Sequence, residues 1–155
     1  MKKIVFLGLV LLLVASSTGF SQNIPLPKDI VIKTPSPGLS KEVVAFSGKW
    51  KGVWSGWGAG FVMIVAEIDS EKAKILYTTT EKVYEKITAK VIIGENPKIE
   101  FDRIVRIPGI SPFSNWYTFE MQNDLKTLKG TCQVPMNSSK SVAPGTYKAT
   151  LQKME

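Results

Sequence analysis

The run FSGKWKGVW, from Phe46 to Trp54, decides the fold. Phe46, Gly48, Trp50, Gly52 and Trp54 share one parity, while Ser47, Lys49 and Lys51 take the other. That is the period of two of a half-buried strand. Large side chains alternate with glycine on the buried side, as a tightly curved sheet requires. A strand over Ser47–Ser55 is therefore predicted. Just upstream, Ser40 is suited to cap a single turn, Lys41 to Ala45, that delivers Phe46 into the domain.

The same alternation recurs downstream. Phe61–Ile68 is apolar on both faces, Lys72–Thr78 buries Ala73, Ile75 and Tyr77, and Lys86–Ile93 buries Ile87, Ala89, Val91 and Ile93. Further strands are predicted over Lys98–Arg106, Trp116–Met121, Lys126–Gln133 and Thr146–Lys153, and no helical period of useful length follows Ala45. Strands joined by hairpins without crossover helices make an all-β antiparallel meander. Closure into an eight-stranded up-and-down barrel removes its two edges, and an open two-sheet sandwich is the competing arrangement. Such a barrel encloses either packed side chains or one small ligand.

The links between strands are unequal. Asp69-Ser70-Glu71, Gly94-Glu95-Asn96-Pro97 and Gln122-Asn123-Asp124-Leu125 are tight turns. Gly56 to Gly60, Thr79 to Glu85, Ile107 to Asn115 and Val134 to Gly145 are longer or glycine-rich, and in a meander they gather at one rim. Mouths of barrels are common ligand sites. The candidate ligand-binding residues there are Trp57, Tyr84, Phe113, Trp116 and Met136, with Trp54 at the end of the first strand. The same residues would also serve simply to cap the core. The glycines of the first link join two strands and open no helix, so they read as a flexible hairpin and not as a phosphate cradle.

Arg103 is the one local conflict. It shares the parity of Ile99, Phe101 and Val105, and an inward arginine is costly unless paired. Three outcomes are open: an anion in the cavity, an acid such as Glu67, or a bulge that turns Arg103 outward.

Gly48-Lys49-Trp50, preceded by a short turn and opening a meander, resembles the G-x-W signature of the calycin superfamily, which includes lipocalins, fatty-acid-binding proteins and avidins. The resemblance spans about Ser40 to Met154. It implies a barrel closed at one end by Trp50, with Gly48 and Trp50 structural, and open at the other to a small, often hydrophobic ligand. In lipocalins a basic residue of the last strand lies over that tryptophan, and Lys153 is the matching position, with lysine in place of the usual arginine. No disulfide, no helix after the last strand and no further family motif accompany it.

Composition narrows the chemistry. The 155 residues include no histidine and one cysteine, Cys132, which excludes a Ser-His-Asp or Cys-His nucleophile, a His/Cys zinc site and an internal disulfide. No cofactor is expected and an enzyme is disfavoured. Cys132 falls on the inward parity of Leu128 and Gly130, as a small core residue does.

Residues 1–21 carry Lys2 and Lys3, an apolar run from Ile4 to Ala15, and small residues before a junction after Ser21. This is the order of a secretory signal, and the run is short of the roughly 20 apolar residues of a membrane span. No cysteine lies near the junction to make a lipoprotein. The expected product is soluble, periplasmic or extracellular, without a membrane span. Residues 22–39 hold Pro25, Pro27, Pro35 and Pro37 with one short apolar patch at Ile30 to Ile32, and read as an extended tether or an edge-hugging arm whose removal should cost little stability. The barrel domain is then 40–155.

Without Lys2 and Lys3 the formal net charge falls from +7 to +5. The lysines are spread singly and only Arg103 and Arg106 are arginines, so nucleic acid is not an expected partner. Two functions remain. One is an exported lipocalin-like module for a small apolar or amphipathic ligand. The other is a secreted interaction or inhibitor protein that binds a protein or envelope polymer through its rim or basic surface. A packed interior favours the second.

Overall fold

The computed structural model describes residues 24–79, 83–106, 108–109, 111–136 and 143–155. The expected signal segment 1–21 and parts of the links Thr79 to Glu85, Ile107 to Asn115 and Val134 to Gly145 lie outside the described residues.

A one-turn helix α1, Lys41–Val44, precedes eight strands: β1 Gly48–Trp54, β2 Gly60–Ile68, β3 Lys72–Thr78, β4 Glu85–Ile92, β5 Lys98–Val105, β6 Phe113–Met121, β7 Thr127–Val134 and β8 Gly145–Lys153. They form a closed barrel in sequential order. β1 closes it by pairing antiparallel with β8, Trp50 opposite Lys153 and Trp54 opposite Ala149.

β6 starts three residues before the strand predicted from Trp116. Asn115 sits at an inward, buried position between Phe113 and Tyr117. A polar residue there hides the alternation from a hydrophobic pattern. Glu85, expected in a loop, is the first residue of β4 and faces Tyr77 across the ladder.

The base is assembled by the turn that enters β1. Ser40 caps α1 by accepting a hydrogen bond from the Val43 N–H. Val43 and Phe46 are fully buried, and the Trp50 indole N–H donates to the Phe46 carbonyl at 2.8 Å. Lys153 donates from Nζ to the Ala45 carbonyl at 2.8 Å and lies 5.3 Å from the Trp50 ring centre.

Above that plug the interior is filled by rings. Trp54 stacks on Phe61 at 4.8 Å and Phe101 on Tyr117 at 5.1 Å, while Tyr77 and Phe119 complete the cluster. The inward glycines are what admit them. A methyl group on Gly130 would stand 2.8 Å from the Phe119 ring, and one on Gly52 2.9 Å from Leu151.

The two-sided apolarity of β2 has a separate cause. Phe61, Met63 and Val65 belong to the core cluster. Val62 and Ile64 point the other way and are 4% and 0% exposed. They are covered from outside by residues 24–36, an arm that runs along the wall. Tyr84 donates to the Pro25 carbonyl near the rim, and Ile24, Leu26, Ile30 and Ile32 are half-buried. Lower down, β2 extends past its last pairing with β1 at Val65–Gly48. Its free edge is taken by the arm, with Lys33 N–H donating to the Ala66 carbonyl at 2.8 Å and Ser36 N–H to that of Ile68 at 3.2 Å. The prolines flank these donors without occupying them, so the expectation of a dispensable tail gives way to a docked strap. Removing residues 24–36 is expected to lower stability by more than about 2 kcal/mol, the scale of exposing one or two large apolar side chains. Urea denaturation of the shortened protein checks this.

Candidate functional site

The two ends of the barrel differ as the link lengths imply. At the base, the Asp69 carboxylate accepts the N–H groups of Glu71 and Lys72 at 2.7 Å each, and Asp124 accepts those of Lys126 and Thr127. These Asx turns hold the links tight. The mouth lies opposite, where β1 leaves at Trp54 and β4 begins at Glu85.

The candidate residues do not converge on one cavity. Trp54 is fully buried, its indole N–H donating to the Tyr77 hydroxyl at 3.1 Å. Trp57, half-buried, packs 4.1 Å from the Tyr147 ring. Tyr84 holds the arm, Phe113 packs half-buried against the core, and Met136 is 88% exposed. Trp116 has outward parity in β6, opposite Asp102 and Gln133, and is 48% exposed on the outer wall.

Arg103 faces inward at the mouth, and the unbroken β5–β6 register rules out a bulge. It is paired, with Glu85 and not with Glu67: Nε and Nη2 each donate to the Glu85 carboxylate at 2.7 Å. The guanidinium also lies 5.8 Å from the Tyr77 ring centre. Glu67 is engaged instead by Lys33 at 2.8 Å and Lys74 at 2.9 Å, outside the barrel. Sequence spacing could not separate the two acids, because the choice depends on the β3–β4–β5 register.

Next to this pair, Asn115 is 4% exposed and its Oδ1 has no hydrogen-bond partner among the described residues. Burial pushes the Tyr117 hydroxyl up to about 12 and the Cys132 thiol up to about 11. At neutral pH both are protonated, so Cys132 is not poised as a nucleophile. The mouth presents hydrogen-bonding groups over a solid aromatic floor.

A cavity lies outside the barrel instead. A cleft of about 320 Å³ runs between the arm, at Ile30 and Val31, and the wall of β2–β4, at Ala66, Leu76, Lys86 and Thr88. The sequence signals for it were the arm's short apolar patch Ile30 to Ile32 and the two-sided apolarity of β2.

Comparison with protein-family models, curated proteins and solved structures found no match.

Two variants test this geometry. Hydrogen bonds from Arg103 hold the Glu85 carboxyl below its ordinary value of 4.5, against the opposing effect of burial. A lowered folded-state value means that the pair stabilises the protein above the unfolded value and stops doing so as the pH falls through the lower, folded one. The stability gap between the parent protein and Glu85→Gln is therefore expected at pH 7 and should close on acidification below about 4. Denaturation across that range reads it, and a gap independent of pH would refute the pairing. At the base, Lys153→Ala is expected to cost roughly 1–2 kcal/mol, from the lost ammonium–indole contact and the lost hydrogen bond.

Proposed function

We propose that the protein is an exported, calycin-like barrel that acts as a binding module through its outer surface, and is not a container for a ligand. The observation that carries this reading is the filled interior: Trp54, Phe61, Tyr77, Phe101, Tyr117 and Phe119 occupy the space that a ligand-holding barrel keeps open. The hydrophobic leader read from residues 4–15 supports export. Lack of histidine and a protonated, buried Cys132 support binding over catalysis.

A second reading, a carrier of a small amphipathic molecule, is favoured by the external cleft, whose volume lies in the range of small-ligand pockets. Its apolar floor of Ile30, Ala66 and Leu76 meets the lysine Lys86 at one edge.

Native mass spectrometry of the purified protein separates these readings. The expected result is a polypeptide with no small molecule retained. A retained molecule lost on Leu76→Glu would establish the carrier reading. One that survives Leu76→Glu but is expelled by the overpacking change Gly130→Leu would place the ligand inside the barrel and overturn the proposal.

A further inference from the structure

We infer that the outer wall of β1, β3 and β4 binds a linear acidic polysaccharide, an inference that rests on the reading of the protein as a surface-acting module. The outward positions of these strands carry Lys49, Lys51, Lys72, Lys74, Lys86 and Lys90. Among the described residues, the acid on the neighbouring outward face of β2 is Glu67, already held between Lys33 and Lys74. The adjoining strands β5 and β6 are different: Glu100, Asp102 and Glu120 accompany Lys98, with Glu100 opposite Lys90 across the β4–β5 ladder and Lys98 and Glu120 paired at 3.2 Å. Positive charge is thus concentrated on one side. Charge serving solubility alone has no reason to segregate this way.

The ladder supplies a second argument. Lys72 stands directly opposite Lys90 in the β3–β4 register, and although Glu100 faces Lys90 across the β4–β5 ladder, neither lysine reaches an acid within 4.0 Å among the described residues. Like charges at facing positions destabilise a sheet. An anion seated between the two ammonium groups converts that repulsion into attraction.

Shape and residue type define the partner. β1 to β4 make up half of the barrel's circumference, with the strap lying over β2 between the lysines of β1 and those of β3 and β4. A flat bilayer meets one or two strands of so convex a surface at a time, whereas a flexible chain follows the curve and reaches successive lysines. The wall uses lysine throughout, a point charge suited to dispersed carboxylates or sulfates, without the arginine forks that grip phosphate. The exposed Trp116, the kind of platform on which bases stack, lies on the other wall.

Calorimetric titration with polygalacturonate, a linear chain with one carboxylate per sugar, tests the inference. Binding is expected to be saturable and to weaken with added salt. Lys72→Gln/Lys90→Gln should lose about tenfold or more in affinity, at roughly fivefold per lysine. The same variant should unfold at an unchanged or higher urea concentration, because it relieves the facing charges. Lys129→Gln/Lys148→Gln, on β7 and β8, should stay within about twofold of the parent protein. Equal losses in the two double variants, or no saturable binding, would overturn the inference. So would binding to phosphatidylglycerol vesicles with none to polygalacturonate, which would keep the surface reading and replace the polymer by a membrane. Failure of the surface reading itself is read separately, by a molecule retained inside the barrel.

Discussion

The close contact between the inward glycines and the rings beside them governs this molecule. Gly130 lies under Phe119 and Gly52 under Leu151 and Phe61, each without room for a side chain. Rings from five strands can therefore meet across the axis, with Trp54 and Tyr77 joined by a hydrogen bond at the centre. The free energy of burying those rings is what closes a short meander into a cylinder. A barrel closed in this way has no interior left to offer. The groups it leaves accessible lie at the mouth, along the strap and on the walls.

Burial on the outside follows the same logic. β2 presents apolar side chains to both faces, so the barrel alone would leave Val62 and Ile64 in water. The strap covers them, and in doing so takes the stretch of β2 edge that β1 leaves unpaired. Its irregular path leaves a cleft beside Leu76. Charge on the outer surface is also sorted by strand: β5 and β6 carry Glu100, Asp102 and Glu120, while β1, β3, β4, β7 and β8 present lysines.

Legibility in the sequence tracked local physics. Period-two alternation marked seven strands and a continuous apolar run marked β2, because nearly every inward position is apolar or glycine, and the turn acids Asp69 and Asp124 located the base. Where an inward position is polar, the pattern broke: Asn115 concealed the first turn of β6, and Glu85 was read as loop. The partner of Arg103 was out of reach because it depends on which strands stand side by side at the mouth. The strap was legible as one of two readings, a tether or an edge-hugging arm, and the sequence did not choose between them. Proline content reports on regular ladders, whereas this segment docks through a few side chains and two backbone hydrogen bonds placed between its prolines.

The seam between β1 and β8 has a temporal consequence. Trp50 and Lys153, which face each other there, stand near opposite ends of the folded chain. As the polypeptide emerges from its amino terminus, strands β1 to β7 can form hairpins in turn, but the cylinder cannot shut until the last nine residues of the sheet arrive. Until that moment the growing sheet has two raw edges. The strap, made before any strand, is available from the outset to cover β2, while β1 waits for its final neighbour. With that last strand in place, Lys153 lies over Trp50 and closes the base.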